Sequence, residues 1–165
     1  MREFQEAIEY FERSLAIARE IGDRSGEAYS LGSLGVAHMG LGLAERAIEY
    51  YEHALTIHRE IGDRMGEGAD LGNLGSAYGA LGQYYKAIEH YEEALSILRE
   101  VGDRHAEGGA LGAIGLAYAR LDEKDRAIDY FEQALNIAHE INDPSLGARA
   151  AENLRKLCEG RGVPP

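Results

Sequence analysis

Histidine and glutamate stand at helical spacings in several places along this 165-residue chain. His53 follows Glu49 by four residues, and Glu93 follows His90 by three. On a helix, residues three or four apart share one face, so each pair is a fragment of a metal site. A metal needs three or four converging ligands. No HExxH, CxxC or histidine triplet completes either pair, so they read as solvated helix faces and no metal or cofactor is expected. Carboxylates recur as Glu3/Glu6/Glu9/Glu12, Glu49/Glu52 and Glu89/Glu92/Glu93. Paired carboxylates do acid–base work when a pocket raises the pKa of one of them. These fall on the polar side of repeating helical patterns, which favours solvent over a pocket. The GxxG spacings follow no strand and so make no phosphate-binding loop. No serine, cysteine or lysine has a neighbouring base to activate it, and no enzymatic activity is expected.

The elements that carry these residues repeat. Residues 62–101 align with 22–61 after a shift of 40, with more than half the positions identical, and with 102–141 after a shift the other way. Periods of 20–50 residues mark repeat arrays. In each copy a glycine–aspartate pair (Gly22-Asp23, Gly62-Asp63, Gly102-Asp103) separates two helical patterns. The glycine suits a left-handed helix end and the aspartate an N-cap. The first helix of each copy runs over about 24–41, 64–81 and 104–121, and carries L-G-x-[LI]-G. A glycine inside a helix costs about 1 kcal/mol against alanine. Six at one spacing imply close approach of neighbouring backbones. Arg24/Glu27 and Arg64/Glu67 are expected as weak first-turn pairs. Second helices begin near 44, 84 and 124 after turns at Gly42, Gly82 and Asp122; the core face of the first of them is Ala47, Ile48, Tyr51, Ala54, Leu55 and Ile57. Tyr10, Tyr50 and Tyr130 share one position with His90 and are expected as half-buried packing residues; Tyr84 is expected to pack and Tyr85 to be an exposed contact.

Residues 1–21 match 41–61 and form a half repeat whose first helix is absent. The chain is therefore expected to be a piece of a longer array, or to cover the apolar face of Phe4, Ile8 and Phe11 with a second copy of itself. Residues 142–159 are expected as a polar capping helix after Asn142-Asp143-Pro144, and 160–165 as a loose tail. The expected organisation is all-α: eight helices forming one α-solenoid over 1–160.

Acidic residues outnumber basic ones 29 to 17, giving a net charge of −12. Such a chain is repelled by phosphate backbones and anionic lipid, so neither nucleic acid nor membrane is an expected partner. A basic or neutral protein face is favoured; the alternative is that the acid only keeps the surface soluble. The single cysteine, Cys158, forms no internal disulfide and suits a reducing cytoplasm. The acidic start MREFQEAIEYFE is no signal peptide, and no apolar run has spanning length.

The motif Leu74-Gly75-x-x-Tyr78, then Gly82, Ala87, Tyr91 and Ala94, resembles the tetratricopeptide repeat, with His38 in the Tyr78 and Tyr118 place in the first copy. The 40-residue period with GDR and LGNLG is similar to the Pins/LGN adaptors and to the arrays of bacterial STAND-class signalling ATPases. The resemblance implies a right-handed superhelix of antiparallel helix pairs. Its first helices would line a concave groove that binds a protein or peptide. Carried over, the groove residues are Tyr29, Ser33, Val36, Met39, Asn73, Ser76, Ala80, Leu116 and Arg120. The lysine–asparagine carboxylate clamp of some members is represented here by Asn73 alone. The arginines of the Pins/LGN arrays are absent from positions 29, 69 and 109. The resemblance thus implies a protein-interaction scaffold within a larger signalling protein. Self-association through the N-terminal half repeat is the alternative.

Overall fold

The computed structural model describes residues 2–159; the tail expected at 160–165 lies outside them. The described residues form eight helices and no strand: α1 (Arg2–Ile21), α2 (Arg24–Gly40), α3 (Ala44–Ile61), α4 (Arg64–Ala80), α5 (Tyr84–Val101), α6 (Arg104–Arg120), α7 (Lys124–Glu140) and α8 (Pro144–Glu159). None is long and apolar enough to cross a membrane. The contacts divide into two compact units, Met1–Gln83 and Tyr84–Pro165. Within each unit every helix packs on the next in sequence, as turns of two or three residues between helices require.

The turns follow their residues. Gly22, Gly62 and Gly102 end helices at φ +71, +72 and +76°. Asp122 and Asn142 take the same left-handed region at 60° and 52°, where their short polar side chains are tolerated best after glycine. Asp23, Asp63 and Asp103 each accept a hydrogen bond of 2.9 Å from the amide three residues on. Asp143 accepts from Ser145 and Leu146 at 3.0 Å.

The expected first-turn pairs Arg24–Glu27 and Arg64–Glu67 form, but Glu27, Glu67 and Glu107 are buried, so these are not the weak pairs of an isolated helix turn. Each carboxylate is clamped by two arginines. Arg19, Arg59 and Arg99 donate from Nε at 2.8 Å across the inter-helix turn, and Arg24, Arg64 and Arg104 from the following helix. The far side of Arg24 reaches Glu60, and that of Arg104 reaches Glu140. Hydrogen bonds from Arg19 first, and then Arg24, hold the Glu27 carboxyl below its usual range against the effect of burial. At Glu67 burial is the largest influence and pushes upward, but Arg59 and Arg64 together outweigh it and the net shift is downward.

The core of the first unit joins Ile8 and Leu15 of α1 to Ala28, Leu31, Leu34 and Ala37 of α2 and Ala54 and Ile57 of α3. The six residues expected to face the core from α3 are all buried. The glycines of the first helices do not all meet a neighbouring backbone, which corrects the idea of close backbones at all six. Gly35 seats the Tyr51 ring, and Gly115 seats the Phe131 ring 2.7 Å from where a Cβ would stand. Gly72 and Gly112 face open space. The missing side chains at Gly35 and Gly115 thus admit an aromatic ring, not a second backbone.

Tyr10 is 67% exposed, which corrects its expected half-burial. Its counterparts Tyr50 and Tyr130 lean on His38 and Tyr118 of the preceding helix, at ring separations of 4.9 and 5.5 Å. Tyr10 has only an edge contact with Phe11. Tyr84 is half-buried, and the exposed Tyr85 donates to Glu123 at 3.1 Å.

Alanine at Gly35 or Gly115 should destabilise the chain by about 1–3 kcal/mol, because the ring must move. Alanine at Gly112 should stabilise it by up to about 1 kcal/mol, through helix propensity alone. Urea unfolding of the three variants checks both signs.

Candidate partner-binding face

Helices α2, α4 and α6 bury most of their circumference and leave a narrow stripe to solvent. On α2 this stripe holds Tyr29, Ser33, Val36 and Met39, of which Tyr29 is 68% and Val36 52% exposed. On α4 it holds Ala69, Asn73, Ser76 and Ala80, with the Ser76 hydroxyl donating to the Gly72 carbonyl at 3.0 Å. These two helices touch within the first unit. Leu116 and Arg120 lie exposed on α6 of the second unit. None of these nine predicted residues is buried. The stripe on α2 and α4 is uncharged, whereas the outer faces of α1, α3 and α5 carry the glutamates expected there.

Beneath this stripe lies a polar pair. His58 in the last turn of α3 and Asp70 in the second turn of α4 are both buried, with Asp70 only 3% exposed. Nδ1 of the imidazole is 2.7 Å from Oδ2 of Asp70. Nε2 points toward the Asp63 carboxylate at 3.7 Å. Burial pushes the Asp70 carboxyl up to about 6; the hydrogen bond and charge of His58 pull against it, and Asp63 adds to the rise. Burial, aided by the Asp70 charge, also pushes the neighbouring Tyr51 phenol up to about 12. Among the described residues no cluster of three or more histidines, cysteines or carboxylates could hold a metal ion.

A family model for the tetratricopeptide repeat matches residues 1–60 and 69–140. The chain belongs to the tetratricopeptide-repeat family. No curated protein matches it in sequence. Among solved structures it is similar to aspartyl phosphate phosphatase F from Bacillus subtilis, with a TM-score of 0.91 at 16% identity over 98% of this chain and 43% of that one. It is also similar to a signal transduction ATPase with numerous domains and a tetratricopeptide repeat sensor from Pyrococcus horikoshii, at 0.83 and 24% over 97% of this chain and 25% of that one. BtubC (BKLC) from P. vanneervenii matches at 0.81 and 21%, over 96% of this chain and 66% of that one. The chain thus spans between a quarter and two thirds of these proteins. At such identities the likeness shows the fold, an all-α solenoid of tetratricopeptide helix pairs.

In this tetratricopeptide-repeat chain the buried polar pair escaped sequence reasoning, which weighed His53 and His90 as solvated residues, placed His38 at a packing tyrosine's position and did not single out His58. His58 is buried, and so is His38, whose Nδ1 lies 2.8 Å from the Leu34 carbonyl in the place where Tyr118 stands in the third copy. A signal was present in the copies. Position 58 corresponds to Ala18, Leu98 and Ala138, and position 70 to Ser30 and Ala110. An aspartate beside Leu71 on a buried helix face requires a partner, and His58 is the polar exception one helix back. Of the residues expected to drive self-association, Ile8 is buried in the core, Phe11 is half-buried and Phe4 is 37% exposed against Gly40.

His58→Leu alone leaves the Asp70 carboxylate without its hydrogen-bond donor and should cost about 1–3 kcal/mol at neutral pH. Adding Asp70→Ala restores the third copy's Leu–Ala pairing and should recover most of that loss. Urea unfolding of the two variants and the wild type tests the cycle.

Proposed function

We propose that the chain is a protein-interaction scaffold whose uncharged stripe on α2 and α4 receives an extended or helical segment of a partner protein. The observation that carries this reading is an uncharged stripe with exposed apolar side chains, Tyr29 and Val36 above all, on a chain of net charge −12. Docking there removes few charges from water, and exposed apolar surface rimmed by polar groups marks interaction sites. The acidic surroundings favour a basic or neutral segment by long-range attraction. A preformed helical face lowers the ordering cost of binding, and no chemistry is needed. The similarity to a signalling ATPase with a tetratricopeptide repeat sensor supports a place in a larger signalling protein.

Peptides selected from a random display library on the wild-type chain provide a probe. Val36→Glu and Asn73→Trp should each weaken the selected peptides at least tenfold, about 1.4 kcal/mol, with unchanged melting temperature. Affinities unaltered by both substitutions would overturn the assignment.

A second reading, self-association through α1, is favoured by one comparison. Ile17 is 58% exposed, whereas its counterparts Ile57, Ile97 and Ile137 are each 5% exposed. Two copies could bury such faces about a two-fold axis. Sedimentation equilibrium across a dilution series should then show a dimer that Ile17→Glu abolishes; a wild-type monomer at every concentration excludes it.

A further inference from the structure

We propose that the His58–Asp70 pair is a proton-controlled pin between α3 and α4 that sets the geometry of the partner-binding stripe. This rests on the reading of that stripe given above and adds its regulation.

The placement of the two groups carries the argument. One imidazole addresses both Asp70 in the body of α4, at 2.7 Å, and Asp63, the residue that caps α4, at 3.7 Å. The other carboxylate oxygen of Asp70 faces α2, where a side chain on Gly32 would begin 3.4 Å away. Asp70 therefore stands where three helices meet. The residue after Gly32 is Ser33, and Asn73 is one turn beyond Asp70; both belong to the stripe. Gly66 leaves room for the imidazole, since a Cβ there would press on the ring. The third copy has Ala106 at that position, with Leu98 and Ala110 where the pair would be. The pin is thus peculiar to one repeat junction and is no requirement of the fold.

The groups that face the pair are few. From α3 come His58 itself and the Tyr51 phenol, from the turn Asp63, and from α4 Glu67, which Arg59 and Arg64 already hold. At the contact with Asp70, α2 presents Gly32, which carries no charge. With a proton on Asp70, the buried carboxyl is uncharged and one hydrogen lies between its Oδ2 and the imidazole Nδ1, 2.7 Å apart. With that proton removed, a carboxylate charge is buried where the three helices meet. A buried charge without a counter-charge is unfavourable. The same direction follows from linkage. Burial raises the folded-state Asp70 carboxyl from 3.8 to about 6, so the folded chain holds a proton that the unfolded chain releases. The stabilisation is complete below the unfolded value and is lost as pH rises through about 6. The pin is tight in mild acid and slack above neutrality.

Two-dimensional NMR of the wild-type chain from pH 5 to 8 at fixed ionic strength tests this without a partner. The amides of Ser33, Asn73 and Ser76 should shift with one midpoint, shared by the Asp70 side-chain carboxyl carbon. In His58→Leu/Asp70→Ala, which installs the third copy's residues, that common transition should vanish. The thermal midpoint of the wild type should fall by about 3–6 °C relative to the double variant between pH 5 and 7.5. Stripe amides that do not titrate in the wild type overturn the proposal. So does a midpoint difference that is constant with pH. If the double variant does not fold, Asp70→Asn keeps the size of the side chain and replaces it, and the wild-type titration decides by itself. These outcomes concern regulation alone. A stripe that binds no partner would show itself in the peptide selection instead.

Discussion

A carboxylate buried between two guanidiniums is the interaction on which each repeat junction depends. Glu27, Glu67 and Glu107 sit in the first turn of a helix, where negative charge suits the positive end of the helix dipole. Each would be costly to bury without compensation. One arginine comes from the helix before the turn and one from the same turn as the glutamate. The ion pair therefore spans the connection and fixes the angle at which one helix leaves the other. In two junctions the second arginine also holds a glutamate at the end of the next second helix, Glu60 or Glu140. Three helix ends are thereby tied at one point. The glycine turn and the aspartate cap beside it do the local work of stopping and starting helices.

Local signals in the sequence were sufficient for most of the fold. The Gly-Asp pairs marked the helix boundaries because the physics of ending and capping a helix involves residues within four positions of each other. The core face of α3 was legible for the same reason, since a 3.6-residue period is written in the chain itself. What was not legible depends on partners further away. The Arg19–Glu27 contact spans eight residues and crosses a turn, so first-turn spacing suggested only Arg24. His58 and Asp70 are twelve apart on different helices. Tyr10 shares a repeat position with Tyr50, yet among the described residues no helix stands against it as α2 stands against Tyr50; position in a motif does not specify what lies against it.

The residues that define the repeat and those that distinguish the copies perform different tasks. Leu31, Leu34, Ala47 and Tyr51 are buried and specify stacking. The stripe residues vary between copies: Ser33, Asn73 and Ala113 at one position, Val36, Ser76 and Leu116 at another. Family membership follows from the first set, which explains how otherwise different proteins share this fold at 16–24% identity.

The ring seats at Gly35 and Gly115 bear on the order in which the chain acquires structure. A helix with several internal glycines has little tendency to form alone. Helices α2, α4 and α6 are of this kind, whereas α3, α5 and α7 are rich in alanine, leucine, glutamate and arginine. The second helices are thus the elements able to hold transient structure in the unfolded chain, and the glycine-bearing helices become ordered only as an aromatic ring settles into the gap between their turns. Folding of each repeat is then a docking event, in which the least autonomous helix is the one that presents the outward stripe.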